Sequence, residues 1–291
     1  MTLGYRALRE SAAWLDLSAR GRILARGADT ARLLHAMSTN HIEGLAAGAG
    51  CYAFFLNAQG RIQADALVLR FEDRFLLDTE PETRERLYRH LDKYIIAEDV
   101  SLEDVSSQFA EIAVEGPQAA ALLSACQAPL PEQDYAHVAW GSRIVQKVSW
   151  TGAPGYRIFV PAAEKDALVR QLDQVPGATP EEANVVRLEH GRPRYGVDIF
   201  EMTLPQETQQ MHAVHFQKGC YLGQEIVERI RSRGHVNRIL VSLTLDGEEV
   251  PLPGSKIAAA GHPSAEITSA AFSPALQKVV ALAYARTPQS A

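Results

Sequence analysis

The segment Lys218-Gly219-Cys220-Tyr221-Leu222-Gly223-Gln224-Glu225 combines residue types that could support thiol chemistry. A lysine and two glycines surround its cysteine, and the residues that follow predict a helix carrying Glu225 and Glu228. A thiol beside an ammonium group and near a helix start lies in surroundings that favour the reactive thiolate. The segment therefore predicts a functional thiol at Cys220.

The same segment also has an ordinary structural interpretation. A free cysteine is often a small buried hydrophobic residue, and Gly219 and Gly223 could serve the backbone conformation alone. Cys51 and Cys126 have apolar neighbours, and we expect both to be buried. Three cysteines cannot supply the four thiolates of a conventional iron–sulfur cluster, so we expect no stably bound metal. Cys220 could share a cluster transiently with another protein, or act as a redox-sensitive thiol.

A cluster of cations follows the cysteine segment, and its default interpretation is a solvated surface. Its members are Arg229, Arg231, Arg233, His235 and Arg238. Guanidinium groups also pair well with carboxylates, which makes the cluster a candidate site for an anionic ligand. RNA phosphate is a further option, but five cations are weak evidence for it in a chain with a net charge of −6. We expect no direct nucleic-acid binding.

The composition is that of a globular chain of two or three domains. It has 291 residues, of which 46% are hydrophobic and 22% charged. No apolar run is long enough to span a bilayer, and residues 1–22 lack a secretory pattern, so we expect no membrane association. The three cysteines are unevenly spaced and form no disulfide framework, which favours a reducing cytoplasm.

Strand and helix patterns alternate irregularly, which favours an α+β fold over a doubly wound sheet. Asn57-Ala58-Gln59-Gly60 separates strand patterns at 52–55 and 61–71 and predicts a β-hairpin. Thr179-Pro180-Glu181-Glu182 is a capping-box pattern that predicts a helix over 180–190. Further predicted helices cover 27–37, 81–94 and 118–126, and further strands cover 74–78, 109–114, 142–150 and 155–160.

The last third of the chain has a different pattern. The segment 200–218 is polar and irregular, and a loop of that length in a domain is more often functional than idle. After it, four strand-like runs are separated by turn residues, at 239–245, 255–260, 266–272 and 278–284. They predict a small all-β module that begins near residue 239.

Three separated blocks resemble the glycine cleavage T-protein superfamily, also called the aminomethyltransferase superfamily. The first block, Leu56 to Asp65, is similar to its strand–turn–strand, and the second joins Arg187-Leu188-Glu189-His190-Gly191 to Tyr195-Gly196-Val197-Asp198. In the third, Ile267 to Ser269 and Phe272 to Leu276 are similar to its terminal barrel. The motif around Cys220 is similar to the hallmark of the YgfZ-type folate-binding proteins, a branch that works in iron–sulfur cluster maturation.

The resemblance implies a fold and a division of the chain. We expect a T-protein-like multidomain fold with mixed or antiparallel sheets and a small C-terminal β-barrel. Residues 1–238 would form the folate-binding region, as two interlocked α+β subdomains that divide near 110–150, and residues 239–291 would form the barrel. The expected cofactor is tetrahydrofolate or a derivative, and the expected state is a monomer in a bacterial cytoplasm.

The resemblance also implies roles for single residues. The carboxylate of Glu189 would accept the 2-amino group and the ring N–H of the pterin, which a two-oxygen acceptor can do. Asp65 would lie near the reactive folate nitrogens, with a smaller prospect of proton transfer. Arg229 would bind the glutamate tail, and Lys218 and Tyr195 are further candidates for cofactor binding. The ordinary interpretation of Asp65 and Glu189 is a solvated face of a strand and of a helix.

Three functions are compatible with these residues. The first is a tetrahydrofolate-binding accessory protein for assembly or repair of iron–sulfur clusters that uses Cys220, with indirect effects on tRNA modification. Its partners would be iron–sulfur assembly proteins or client enzymes. The alternatives are a folate-dependent aminomethyltransferase, which takes its aminomethyl group from a lipoyl carrier, and a non-catalytic folate sensor or scaffold.

Overall fold

The computed structural model describes residues 1–259 and 262–287, and the helices in these ranges are short. The longest have 10 residues, and no helix in the described ranges has the length and apolar character that a membrane crossing requires. The helices are α1 (Leu3–Glu10), α2 (Thr30–Met37), α3 (Arg84–Asp92), α4 (Ala119–Ala125), α5 (Lys165–Gln171), α6 (Pro180–Glu189) and α7 (Gln224–Arg233).

The first sheet has five antiparallel strands in the order β3-β4-β5-β2-β6. Its strands are β2 (Gly21–Arg26), β3 (Gly50–Leu56), β4 (Ile62–Arg70), β5 (Arg74–Thr79) and β6 (Ser101–Asp104). Helices α2 and α3 cover one face, where Leu34, Leu87 and Leu91 pack against Phe55 and Phe75. Because the other face is also covered, β4 is buried along nearly its whole length.

The second sheet also has five antiparallel strands, in the order β1-β7-β10-β9-β8. Its strands are β1 (Ala13–Asp16), β7 (Phe109–Glu115), β8 (His137–Trp140), β9 (Arg143–Gln146) and β10 (Gly155–Pro161). Leu123 of α4 and Leu168 of α5 pack with Ile112 and Ile158 of the sheet. The two sheets share a further core that joins Leu67 and Leu76 to Val148 and Phe159. The consecutive strands β1 and β2 lie in different sheets, so the chain passes from one sheet to the other between them. The predicted pair of interlocked subdomains that divide near 110–150 stays a prediction.

The C-terminal sheet has four antiparallel strands in the order β11-β14-β13-β12. They are β11 (Arg238–Leu245), β12 (Lys256–Ala259), β13 (His262–Ser273) and β14 (Lys278–Arg286). The register between β13 and β14 shifts between Ile267 and Ser269. The predicted α+β class is confirmed, whereas a division at 238/239 stays a prediction. Residue 260 of the predicted second run and residues 288–291 lie outside the described residues.

Two predicted local motifs are confirmed. Asn57 Oδ1 accepts hydrogen bonds from the backbone N–H groups of Gln59 and Arg61, which closes the turn between β3 and β4. At the start of α6, Thr179 Oγ1 accepts from Glu182 N–H while the Glu182 carboxylate accepts from Thr179 N–H. Both motifs are set by residues within four positions of each other, which is why the sequence is sufficient to predict them.

Other elements differ from the prediction. The helix predicted over 81–94 starts with a 3-10 turn at Pro81–Thr83 before α3, and the strand predicted over 142–150 ends at Gln146. The segment 200–218 contains 3-10 turns at Pro205–Thr208 and Met211–Ala213. Five elements are not predicted from the sequence, namely α1, β1, β2, β6 and β8. Three of these, β1, β6 and β8, are four-residue strands, too short to show a clear alternation.

Candidate ligand-binding site

A polar cavity lies beside Asp65, and both five-stranded sheets contribute to its wall. Its enclosed volume is about 50 Å³, and it opens to solvent. We call it the Asp65 cavity. The charged residues in its wall are Arg20, Asp65, Glu80, Arg157, Arg187, Arg192 and Arg194, and the aromatic ones are Tyr52, Trp150 and His212. A wall so rich in arginine is suited to a ligand that carries negative charge or many acceptors.

Asp65 lies on β4, and only 8% of its surface is exposed. Its Oδ2 accepts a hydrogen bond of 2.7 Å from the hydroxyl of Tyr52. Its Oδ1 is buried and has no partner among the described residues. Burial, with a contribution from the charge of Glu80, raises the pKa of Asp65 to about 6, although Tyr52 and Arg20 oppose the shift. A buried acceptor without a partner is costly, so Oδ1 indicates a place for a donor.

A network of buried charges lies under Asp65. Arg20 donates to Asp78 and to Glu80, and Arg157 donates to Asp78 at 2.7 Å and to Glu111 at 3.1 Å. Burial is the largest influence on Glu111, and together with the neighbouring Asp78 it raises the pKa of that carboxyl. The network joins β5 to β7 and β10, and thereby fixes the floor of the cavity to both sheets.

Arg192 differs from the other arginines in the cavity wall. Arg20, Arg157, Arg187 and Arg194 each form a salt bridge with at least one carboxylate. Arg192 forms none within the described part of the chain, and its polar side-chain partner is Tyr135. Its charge reaches into the cavity, because burial and Arg192 together lower the pKa of His212. The cavity therefore has one guanidinium without a carboxylate partner.

Two wider clefts adjoin the Asp65 cavity. The Tyr135 cleft, of about 390 Å³, shares Ser149 and Arg192 with it. The Trp150 cleft, of about 480 Å³, shares Trp150 and three paired charged residues with it, namely Arg20, Glu80 and Arg194. An elongated ligand that reaches Asp65 can therefore extend into either cleft.

Glu189 is not in the wall of the Asp65 cavity, in contrast to the shared site that the sequence analysis predicts. Its Oε1 accepts hydrogen bonds from Tyr5 of α1 and Ser273 of β13, and its Oε2 accepts one of 2.7 Å from Arg9. Both oxygens are thus engaged by protein donors. The carboxylate ties α6 to α1 and to the C-terminal sheet, and its role as a pterin ligand stays a prediction.

Tyr195 is also outside the cavity wall. It is buried, accepts a hydrogen bond of 3.0 Å from Arg86, and donates one of 3.3 Å to the carbonyl of Ile62. Burial raises the pKa of Tyr195 to about 12. These contacts hold the segment after α6 against β4, which gives Tyr195 a positioning role near the cavity.

Lys218 has a different environment from the one its neighbours in sequence suggest. The ammonium group is buried and donates to the carbonyls of His35 and Ser38, at the end of α2. It lies 4.9 Å from the ring centroid of Tyr221. Burial lowers the pKa of Lys218 to about 8. The orphan carbonyls at the end of α2 therefore engage the ammonium of Lys218. The functional thiol at Cys220 stays a prediction.

Cys220 is exposed, whereas both sides of its segment are anchored. Lys218 is fixed to α2 before it, and Tyr221 is buried after it. Leu222 N–H donates to the carbonyl of Ala36, which adds a backbone connection to α2. Cys220 precedes α7 by four positions rather than standing at its start, since the N-cap is Gly223. The result is a fixed segment that presents one thiol to solvent.

The remaining motif residues serve packing or lie on the surface. Gly223 has φ 83° and packs so closely on the β3–β4 turn that a Cβ would lie 2.6 Å from the carbonyl oxygen of Asn57. Gln224 and Glu225 form the first turn of α7. Arg229 is exposed and forms a salt bridge of 2.6 Å with Glu225, and it does not line the Asp65 cavity.

The structure thus keeps Asp65 as a cavity residue and separates it from Glu189, Tyr195 and Arg229. Of the other two cysteines, Cys51 is buried as predicted, whereas Cys126 is only partly buried. The described residues contain no cluster of three or more histidine, cysteine, aspartate or glutamate side chains arranged for a metal. Five charged residues of the cavity wall are not predicted from the sequence, namely Arg20, Glu80, Arg157, Arg192 and Arg194. The signal in the sequence that could have indicated some of them is Arg192-Pro193-Arg194, just after α6.

Two family profiles match the chain. The profile described as the GCVT N-terminal domain matches residues 3–218. The profile described as the glycine cleavage T-protein C-terminal barrel domain matches residues 238–291. Residues 219–237, which include Cys220 and α7, are outside both matched ranges.

Similar proteins are aminomethyltransferases by name. One from Rubrobacter xylanophilus is 30% identical over 96% of this chain and 77% of its own length. Another from Symbiobacterium thermophilum is 28% identical over 99% of this chain and 82% of its own. The crystal structure of glycine cleavage system aminomethyltransferase T from Bartonella henselae covers 97% of this chain and 80% of its own, with a TM-score of 0.86 and 22% identity. That likeness shows the T-protein fold.

Proposed function

This chain belongs to the glycine cleavage T-protein family, and from that premise we propose that it binds a reduced folate beside Asp65. The observation that supports the proposal is the unpartnered, buried Oδ1 of Asp65 in the wall of the cavity. A reduced pterin has several N–H donors, and a carboxylate oxygen in a low-dielectric site binds such a donor strongly.

The Asp65 cavity alone is too small for a folate, so the ligand must also occupy an adjoining cleft. Sites that enclose ligands of this size measure about 300–1,000 Å³. The enclosed volume beside Asp65 is about 50 Å³, whereas the Tyr135 cleft adds about 390 Å³. A pterin ring would therefore displace exposed or half-exposed side chains of the wall, such as His212 and Gln210, while the tail lies in an adjoining cleft.

Asp65 could also handle a proton near neutral pH. With a pKa of about 6, it is mostly ionised at pH 7 yet holds a proton more readily than an ordinary aspartate. Tyr52 holds one carboxylate oxygen in place and leaves Oδ1 as the atom that accepts or releases the proton. A bound folate would supply the nitrogen atoms that carry a one-carbon unit.

Isothermal titration calorimetry with tetrahydrofolate tests the binding proposal. We expect Asp65→Asn and Asp65→Ala to weaken binding by about tenfold or more, because each removes a charge-assisted hydrogen bond. Asp246→Asn is the control, since this aspartate is exposed in the turn after β11. If both Asp65 variants fold and bind tetrahydrofolate with unchanged affinity, the proposal that folate binds beside Asp65 is refuted.

The first candidate for the finer function is folate-dependent aminomethyl transfer from a lipoyl carrier. The names of the similar proteins favour it, and so does a carboxylate placed to exchange a proton beside the ligand. The assay is formation of methylene-tetrahydrofolate from an aminomethylated lipoyl carrier protein. We expect Asp65→Asn to reduce turnover strongly and Cys220→Ser to leave it unchanged. Absence of turnover by the wild-type protein counts against this candidate.

The second candidate is an accessory function in iron–sulfur cluster assembly or repair, with partner or client proteins that meet Cys220. It is favoured by the exposed thiol on an anchored segment and by its location in residues 219–237, outside both matched family ranges. A deletion strain would be assayed for iron–sulfur enzyme activities and for thiolated tRNA. We expect rescue by wild type and by Cys126→Ser, and no rescue by Cys220→Ser. Full rescue by Cys220→Ser eliminates the candidate.

A further inference from the structure

We propose that Arg192 binds the negatively charged glutamate tail of a folate, which lies in the Tyr135 cleft. The inference rests on the proposed folate binding and adds the position and the recognition of the tail. A folate has a pterin ring at one end, an aminobenzoyl group in the middle, and glutamate carboxylates at the other end. A site for it needs an acceptor at one end and a cation at the other.

The charges in the wall of the Asp65 cavity favour Arg192 as the residue that binds the tail. Four of the five arginines in the wall of the Asp65 cavity are neutralised by carboxylates, and Arg192 is the fifth. No salt bridge of Arg192 occurs within residues 1–259 and 262–287, so its guanidinium keeps its full charge for a ligand. Guanidinium binds a carboxylate through two parallel N–H donors, which gives direction as well as strength.

The position of Arg192 also suits a tail that lies in the Tyr135 cleft. Arg192 lines both the Asp65 cavity and the Tyr135 cleft, so a ligand that passes from one to the other must pass it. The side chains of Tyr135 and Tyr156 in the cleft offer apolar surface to an aminobenzoyl ring. Arg192 also interacts with the hydroxyl of Tyr135, where its charge partly opposes the rise in the pKa of Tyr135 that burial causes.

The two clefts differ in the charge that their salt bridges leave uncompensated. In the Tyr135 cleft, Asp134 is paired with Lys147 at 3.2 Å, so Arg192 is left in excess. In the Trp150 cleft, Arg20 and Arg194 are both paired with Glu80, and Asp16 is paired with Lys165, so Glu181 is the charge left in excess among the described residues. An anionic tail is therefore attracted to the first cleft and repelled by the second.

The proposal replaces Arg229, which the sequence analysis assigns to the tail. Arg229 is on the solvent side of α7 and is already paired with Glu225. It therefore provides a matched control, because Arg192→Gln and Arg229→Gln remove the same charge from two different places.

Competition and direct titration would compare two ligands, namely tetrahydrofolate and 6-methyltetrahydropterin, which has no tail. We expect Arg192→Gln to weaken the binding of tetrahydrofolate by about 10- to 100-fold. Its affinity for 6-methyltetrahydropterin should stay within about threefold of the wild-type value. Arg192→Lys should recover part of the loss, and Arg229→Gln should bind both ligands like wild type. Thermal unfolding of each variant checks that the fold is intact.

The outcomes separate this inference from the proposed function. If wild type binds neither ligand, the proposed function fails and the inference fails with it. If wild type binds both and Arg192→Gln weakens both equally, or weakens neither, only the position of the tail is refuted. If Arg229→Gln instead weakens the binding of tetrahydrofolate alone, the tail binds at α7 and not in the Tyr135 cleft.

Discussion

The carboxyl group of Asp65 is stabilised poorly by the protein alone. Burial and the nearby Glu80 disfavour its charge, and the hydrogen bond from Tyr52 satisfies one of its two oxygens. Such unfavourable placement is common where a group serves a ligand rather than the fold. From the sequence, Asp65 could lie on the exposed face of its strand or contact a ligand. The structure excludes the exposed position, because Asp65 is buried.

A pH-dependent stability follows from this placement. The pKa of Asp65 is raised to about 6 in the folded protein, so the folded protein binds the proton more tightly than the unfolded chain does. The protonated carboxyl is therefore accommodated without the cost of a buried charge below about pH 4, and stability is lost as the pH rises through 6 and the buried carboxyl ionises. We expect Asp65→Asn to be more stable than wild type at pH 7 by up to about 3 kcal/mol, and much less so at pH 4. Urea unfolding of both proteins at pH 4, 5, 6 and 7 measures the difference. A difference that is the same at every pH would contradict the raised pKa.

At the scale of elements, the cysteine segment and the β3–β4 hairpin depend on each other. Gly223 lies against the carbonyl oxygen of Asn57, and a Cβ on Gly60 would lie 2.9 Å from the Cβ of Ile226 in α7. Two glycines at positive φ therefore allow the hairpin turn and the start of α7 to touch. This explains the place of Gly223 in the Lys218–Glu225 motif by packing, and it gives no packing role to the exposed Cys220.

Two glycine substitutions separate backbone conformation from contact. Gly219 and Gly223 both have positive φ, at 96° and 83°, but a Cβ on Gly219 would have no atom within 4 Å. We expect Gly219→Ala to lower the free energy of unfolding by about 1–2 kcal/mol, from backbone strain alone. Gly223→Ala should lower the free energy of unfolding by about 1–3 kcal/mol more than Gly219→Ala, because the β3–β4 hairpin must also move. Urea denaturation measures both, and equal losses would show that the close contact is unimportant.

Local signals explain which elements the sequence could predict. The hairpin turn and the capping box of α6 are specified by neighbouring residues, and both are found where predicted. The position of the Lys218 ammonium is decided by the end of α2, about 180 positions earlier in the chain. The ammonium and the thiol are close in sequence, but the unsatisfied carbonyls of α2 compete for the ammonium and bind it.

At the scale of the whole molecule, the site is assembled from distant parts of the chain. Arg20 precedes β2, Glu80 follows β5, and Arg192 follows α6, and no local pattern joins them. The sequence could therefore predict Asp65 and the family resemblance, but not which charges would be neutralised. Salt bridges decide that Arg192 rather than Arg229 is available, and salt bridges depend on the tertiary fold.

The C-terminal sheet is joined to the rest of the molecule through buried carboxylates. Asp198 forms a salt bridge of 2.6 Å with Arg187, in which the two side chains are 0% and 1% exposed. Its Oδ1 accepts hydrogen bonds from Thr268 and Ser269 of β13. Arg187 also lines the Asp65 cavity, so this junction connects the barrel-forming sheet to the wall of the ligand site.

Replacing Asp198 by asparagine would test this connection. The amide removes the charge that balances Arg187 and places a donor where two donors already converge, so we expect a loss of about 3–5 kcal/mol in the free energy of unfolding. Asp246→Asn, at an exposed salt bridge with Lys278, should cost less than about 1 kcal/mol. Trp14 of β1 and Trp140 of β8 lie in the second sheet, and Trp150 lines the Asp65 cavity. Tryptophan fluorescence therefore reports on the second sheet and the cavity wall, while limited proteolysis after residue 238 reports on the C-terminal sheet. We expect cleavage after residue 238 to begin at lower urea than the fluorescence change in Asp198→Asn; simultaneous transitions would mean that the carboxylate stabilises the whole molecule as one unit.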